Sequence, residues 1–367
     1  MASSWNKLCT QLAASAREKR IPLFLSFELT ARCNQQCKMC YLCVPVNDQQ
    51  AKNKEISAEQ WLRLAREARD AGLLMVTLTG GEVFLREDFK QIYEGIMELG
   101  LIVQILTNGT MITPRIVEWL KAIPPLKVSI TLYGATRETC AKITGYPESY
   151  NRTVQAIDSL RTAGIPTEVK TTVVQGNKYE FDQLSEFVRQ RGLMLGVVNY
   201  ISPRREGLNS NSVANRLTPE ELVGYELHLQ EHNKQLIMEA KENKISWSDS
   251  VSEDVLPNKV RLNESNDPFQ CSAGKSSAWV TWDGRLIPCG LMDKPFAYPI
   301  KTGFLTAWEE IKHQCSLIPA SKECLACKYK SFCEQCPARL LNETGAYNKP
   351  APYLCATASK RYAYGVY

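Results

Sequence analysis

Apolar, β-branched runs alternate along the chain with stretches whose apolar residues recur every three or four positions. Runs at 21–30 (IPLFLSFELT), 73–79 (LLMVTLT), 101–107 (LIVQILT), 126–133 (LKVSITLY), 167–174 (TEVKTTVV) and 193–201 (LMLGVVNYI) predict six strands. Helical patterns lie between them. SAEQWLRLAREARDAG has Ser57 and Gln60 in capping-box spacing and a stop at Gly72, and others fall near 88–99, 112–121, 150–163 and 178–191. A longer one opens at Thr218, with Pro219 at the first helical position and Glu221 behind it. This alternation predicts an α/β fold with a parallel sheet, and its sixfold repetition a partial (β/α)6 TIM-type barrel, functional groups sitting on loops after the strands.

Past residue 244 the rhythm stops. The expected domains are an N-terminal amphipathic helix at 1–20, the barrel with its last helix at 21–244, a polar linker at 245–264 and a small, turn-rich, cysteine-rich domain at 265–367. The last contains one hairpin candidate, AWVTWDGRLIPC, turning on Asp283 and Gly284.

Composition narrows the classes. With 44% apolar and 23% charged residues over 367 positions, the chain reads as an ordinary globular protein, large enough for more than one domain. It offers neither a membrane-length apolar run nor the pattern of a signal peptide, so a cytoplasmic protein without membrane contact is expected. Its net charge of +5 comes from scattered Lys and Arg, giving no footprint for nucleic acid. Fourteen cysteines change the picture, because the cytosol keeps thiols reduced and clustered ones then read as ligands of metal or iron–sulfur.

Cys33, Cys37 and Cys40 stand in C-x3-C-x2-C spacing on the loop after the first strand. Zinc prefers four ligands in paired knuckles or with histidines, and only His228, His232 and His313 exist. A cubane cluster has four irons, so three thiolates leave one open. The motif resembles that of the radical S-adenosylmethionine (radical SAM) enzymes. The resemblance implies a [4Fe-4S] cluster whose open iron chelates S-adenosylmethionine, cleaved on one-electron reduction to a 5′-deoxyadenosyl radical. Gly80, Gly81 and Glu82 end the second strand and resemble the motif that receives the cofactor's amino group. Thr107, Asn108 and Gly109 end the third strand; Ser129 and Lys170 resemble positions that contact the cofactor's ribose or carboxylate. The family's aromatic residue before the third cysteine is Met39 here, an apolar side chain able to pack against adenine or cluster.

Further along lie Cys271, Cys289, the set Cys324, Cys327, Cys333 and Cys336, and Cys355. Their spacing suits zinc and iron–sulfur alike. Their order resembles the SPASM extension of radical SAM enzymes, which implies two auxiliary iron–sulfur clusters. By position Cys324, Cys327, Cys333 and Cys355 would hold the farther one, and Cys271, Cys289 and Cys336 the nearer. The Cys333 to Cys336 spacing is one residue shorter than the family's, and the nearer set lacks a fourth cysteine. Either it keeps an open iron, or Cys315 or Cys43 completes it. Cys9 and Cys140 read as buried or helix-face thiols.

His228, Glu231 and His232 also spell the inverted zinc-peptidase pattern, a weak match on a Glu-, Lys- and Gln-rich helix. The resemblance implies hydrogen abstraction from a peptide, leading to a crosslink or an oxidised side chain, with the auxiliary clusters accepting electrons and a flavodoxin- or ferredoxin-like protein donating them. The barrel begins by residue 21, leaving leader recognition to a separate protein or to the barrel itself. The alternatives are dehydrogenation or epimerisation of a small molecule such as an aminosugar, with Cys43 and Cys140 as hydrogen-donor candidates, or an iron–sulfur electron carrier or sensor.

Overall fold

The computed structural model describes residues 2–205, 211–242 and 267–366. Six parallel strands follow one another across one sheet: β1 (Phe24–Thr30), β2 (Met75–Gly80), β3 (Ile102–Thr107), β4 (Lys127–Thr131), β5 (Thr167–Thr172) and β6 (Leu195–Val198). Each lies within the run that predicts it, save that β2 extends to Gly80. Phe27, Leu78, Ile105 and Val128 are neighbours across the ladder and almost wholly buried. Phe27 packs on Trp61 of the helix Ala58–Asp70, ring centroids 5.0 Å apart, which marks this row as the helix-covered face. Strand alternation therefore puts Glu28, Gln104, Ser129, Glu168 and Lys170 on the opposite, inner face. The Ala58–Asp70 helix starts with the expected capping box, Ser57 and Gln60 each satisfying the other's backbone N–H.

The sheet continues on the other side of β1. Strand β7 (Ser277–Val280) pairs parallel with β1, and β8 (Leu286–Ile287) runs antiparallel to β7. Gly284, at φ +84°, makes the turn between them. The hairpin that the sequence assigns to the C-terminal domain is thus built onto the barrel sheet. Two compact units result, one of residues 13–216 and 272–317, the other of 1–12, 217–271 and 318–367. The expected linker at 245–264 lies outside the described residues.

The end of the chain is more helical than its turn-rich composition suggests, with helices Phe304–Ser316, Pro337–Thr344 and Pro352–Tyr364. In the first of these Phe304, Ala307, Trp308, Ile311 and Cys315 are buried, a helical stripe in which Cys315 is the last member. The short helix Arg137–Thr144 has no counterpart among the predicted elements. Among the described residues no helix is long and apolar enough to cross a membrane.

Candidate active site

The cysteine loop leaves β1 through an irregularity: Glu28 pairs with Thr79 and Thr30 with Gly80, so Leu29 is skipped in the ladder with β2. The loop is then pinned at its far side, where Gln36 and Lys38 donate backbone N–H groups to the carbonyls of Thr144 and Ile143 at 2.8 and 3.3 Å. Cys37 and Met39 sit in a small core with Ile143, Val174 and Ile201, against which Cys40 and Tyr133 pack. Met39 thereby fills a protein core.

The glycines of the next motif face backbone at close range. A Cβ on Gly80 would stand 2.2 Å from the Thr30 carbonyl oxygen, and one on Gly81 2.2 Å from that of Arg32. Gly80 also has φ +144°, outside the usual range of L side chains. Backbone of the end of β1 and of the two residues after it occupies the space, so these glycines let two backbones touch. Gly81 and Glu82 donate N–H groups to Thr30 and Arg32 at 2.8 and 3.0 Å, which joins this turn to the residues just before Cys33.

Glu82 is fully buried and its carboxylate is already engaged. It accepts from the backbone N–H groups of Asn108 (2.8 Å) and Phe84 (3.2 Å), and the Thr107 hydroxyl lies 2.7 and 2.9 Å from its two oxygens. Burial raises its pKa, and these donors oppose the rise. Glu82 thus ties the ends of β2 and β3 together.

Asn108 carries that tie to the cysteines. Its side-chain amide approaches the Cys33 sulfur at 3.6 Å and donates to Asn34 Oδ1 at 2.9 Å, while its own oxygen accepts from Thr110 N–H and hydroxyl. Ser129 donates to Glu168 (2.8 Å) and accepts from Gln104 (3.0 Å), and Lys127 and Lys170 flank the same carboxylate at 2.9 and 3.7 Å. Glu168 has no sequence signal beyond its place on an inward strand position. Burial pushes its carboxyl up, but the two lysines and Ser129 outweigh it and hold it below the ordinary range.

The loop thiols interact electrostatically: Cys40 raises the pKa of Cys33 and of Cys37, and Cys33 raises that of Cys37. Burial dominates: it pushes the Cys33 thiol up to about 12, Cys37 well above its ordinary value and Cys40 upward. Buried thiolates need a nearby cation, which iron supplies on displacing their protons. The sulfurs also receive hydrogen bonds, from Gln35 N–H to Cys33 (3.4 Å) and from Cys43 N–H to Cys40 (3.2 Å). Among the described residues no three His, Cys, Asp or Glu side chains converge as a single-ion site, cysteines and the His228, Glu231, His232 set included. A cubane asks instead for separate thiolates, one per iron, and this loop fits that demand.

A second thiol group lies in the other unit. Cys333 feels Cys324 and Cys355, and Cys355 feels Cys324 and Cys327. Cys336 feels Cys271. Sulfur-directed backbone N–H groups recur here two residues on, from Tyr329 to Cys327 (3.4 Å) and from Gln335 to Cys333. In the barrel unit Leu291 N–H reaches Cys289 at 3.5 Å. Cys140 donates its S–H to the Gly134 carbonyl at 3.5 Å and also takes backbone hydrogen bonds, and Cys37 in the loop likewise donates, to Gln35 Oε1 at 3.5 Å. Cys315 is buried against Gly274, and Cys43 adopts φ +49° in the loop.

Residues 27–190 match the family model described as the Radical SAM superfamily. The chain carries a radical SAM domain. Its bounds run from within β1 to the helix Phe181–Arg189, so they take in the cysteine loop, Glu82, Asn108, Ser129 and Lys170. Over 349 residues the chain is 26% identical to the AdoMet-dependent heme synthase of Methanosarcina barkeri, covering 93% of this chain and 98% of that one. It is 25% identical to the antilisterial bacteriocin subtilosin biosynthesis protein AlbA of Bacillus subtilis, over 93% of this chain and 72% of that one. Streptococcus suis SuiB bound to precursor peptide SuiA shares the fold, with TM-score 0.68 and 18% identity over 94% of this chain and 79% of that one. The radical SAM domain makes this chain an enzyme.

Proposed function

We propose that the protein is a cytoplasmic radical SAM enzyme that oxidatively matures a peptide, with auxiliary clusters in the SPASM manner. Cys33, Cys37 and Cys40 would hold the [4Fe-4S] cluster; Gly80, Gly81, Glu82, Thr107, Asn108, Ser129 and Lys170 would surround S-adenosylmethionine. When bound, this pair supplies a 5′-deoxyadenosyl radical able to take a hydrogen atom from substrate. Glu82 and Asn108 act by fixing the loop and directing an N–H at a sulfur, while Glu168 keeps Ser129 and Lys170 in place on the inner face. Cys324, Cys327, Cys333 and Cys355 would hold one auxiliary cluster, and Cys271, Cys289 and Cys336 would contribute to the other. Electrons would come from a flavodoxin- or ferredoxin-like donor.

The observation that carries this reading is the set of backbone N–H groups aimed at Cys33, Cys40, Cys289, Cys327 and Cys333, the pattern that stabilises thiolate ligands. For the substrate class, support comes from the names of AlbA and of SuiB with its precursor peptide. A second reading, oxidation of a small-molecule side chain such as one on a tetrapyrrole, is favoured by the heme synthase match over 98% of that relative's length. Anaerobically reconstituted, dithionite-reduced protein should release 5′-deoxyadenosine from S-adenosylmethionine; absence of release in every reductant overturns the radical reading. Loss of two hydrogens from a short peptide encoded beside the gene supports the peptide reading. The same loss from a porphyrin carboxylate side chain, and none from the peptide, replaces it.

A further inference from the structure

Glu28 lies on the inner face of β1, two residues from its end, and is completely buried. One carboxylate oxygen gathers three donors from three other parts of the barrel unit: Arg205 Nη2 at 2.6 Å, Trp279 Nε1 at 3.0 Å and the Tyr41 hydroxyl at 3.3 Å. Arg205 follows β6, Trp279 belongs to β7, and Tyr41 is the residue directly after Cys40. The guanidinium of Arg205 also lies over the Tyr41 ring, 5.1 Å from its centroid. Its chain neighbour Arg204 interacts electrostatically with Cys40.

Strands β1 and β6 are not neighbours in the sheet, so the Glu28–Arg205 ion pair links elements that the ladder leaves apart. The other oxygen of Glu28 is buried without a hydrogen-bond partner. Leaving a buried acceptor unpaired is costly, and a positioning role accounts for crowding all three donors on one oxygen.

We propose that Glu28, Arg205 and Tyr41 form a clasp that fixes where Cys40 presents its sulfur, making Glu28 and Arg205 positioning residues for the third cluster ligand. This rests on the reading that Cys33, Cys37 and Cys40 hold a cluster. Neither residue touches the cluster ligands' sulfurs; both act through Tyr41 and the backbone that joins it to Cys40. Arg205 adds a planar fork and a ring-stacking face that lysine lacks.

The test uses full-length protein reconstituted with iron and sulfide, reduced with dithionite, with S-adenosylmethionine as the probe. The part of the electron paramagnetic resonance spectrum that changes on adding S-adenosylmethionine reports the loop cluster apart from any auxiliary cluster. Glu28→Ala and Arg205→Ala should lower that changing signal by about tenfold, the usual cost of losing such a supporting contact. Tyr41→Phe keeps the ring, its contact with Arg205 and the ion pair and removes only the hydroxyl's bond to Glu28, so it should stay folded while displacing the spectrum. Arg205→Lys should restore charge without restoring the spectrum. Wild-type spectra in folded Tyr41→Phe and Arg205→Lys overturn the clasp, even if the alanine variants fail to fold. If the wild-type protein itself shows no S-adenosylmethionine-dependent change, the cluster assignment fails instead.

Discussion

Replacing Gly81 with alanine tests whether the glycine turn after β2 is a seat for the backbone that leads into the cysteine loop. The new Cβ would lie 2.2 Å from the Arg32 carbonyl oxygen, 2.6 Å from that of Ala31 and 2.6 Å from the Arg32 carbonyl carbon. All three are backbone atoms, so no side chain can swing aside, and one strand end must retreat by about 1 Å to reach ordinary contact. Overpacking of this kind costs about 1–3 kcal/mol. The retreat also stretches the bonds from Gly81 N–H to Thr30 (2.8 Å) and from Glu82 N–H to Arg32 (3.0 Å). At about 1 kcal/mol each, the total comes to roughly 3–5 kcal/mol. For a unit of this size that lowers the melting temperature by roughly 6–20 °C, measured by calorimetry on the metal-free protein. Iron content after reconstitution should fall as well, because Cys33 follows Arg32 directly. Gly224→Ala is the matched control: outside its own helix backbone no atom lies within 4 Å of its added Cβ, in the second turn of the helix Pro219–Glu242. It should gain up to about 1 kcal/mol from helix propensity. A Gly81→Ala protein that melts within about 2 °C of wild type and loads a full complement of iron refutes the reasoning.

Other outcomes follow from the same geometry. Glu82→Gln sets an amide NH2 against either the Phe84 or the Asn108 N–H, since each backbone donor meets a different oxygen; chemical denaturation should show a loss of about 2–4 kcal/mol. In metal-free protein at pH 8, burial leaves Cys33, with its thiol pushed up to about 12, roughly a thousandfold less thiolate than an ordinary thiol; alkylation followed by mass spectrometry should find it far slower than exposed Cys9. Glu168, held below the ordinary carboxylate value of 4.5, adds stability that is present above that value and lost as pH falls through its lowered folded value; the stability gap between wild type and Glu168→Gln should therefore close on acidification below pH 4.5. Asn108→Ala removes an N–H from the Cys33 sulfur, so the potential of the loop cluster should become more negative in a redox titration.

The barrel strands are legible in the sequence because each is a short apolar run closed off by a helical period, and that contrast survives without tertiary information. The same is true of Ser57 and Gln60, whose spacing alone specifies the capping box. The hairpin is legible as a hairpin from Asp283 and Gly284, but its docking on β1 is not. Pairing partners between distant strands depend on which edge the barrel leaves open, and no local pattern encodes that. The helix Phe304–Ser316 shows the opposite failure: its apolar stripe is visible, yet cysteines on both sides draw the reading toward a turn-rich module.

For the site, the sequence supplies the cysteines and the glycine turn but not what supports them. Glu28 reads as one polar residue in an apolar strand, and Glu168 as one of many glutamates; each acquires meaning only when the ladder turns it inward beside lysine or arginine. The hydrogen bonding of sulfur is likewise invisible in spacing. Cys33, Cys40, Cys289, Cys327 and Cys333 accept from backbone N–H groups, while Cys37 and Cys140 donate S–H to oxygens of Gln35 and Gly134. An N–H pointed at sulfur stabilises a thiolate over a thiol, and an S–H pointed at oxygen does the reverse. The backbone around the first group is therefore already arranged for negative sulfur before any iron arrives. That arrangement costs the metal-free protein less than burying bare thiolates would, and it explains how a loop with such hydrophobic walls can still offer ligands.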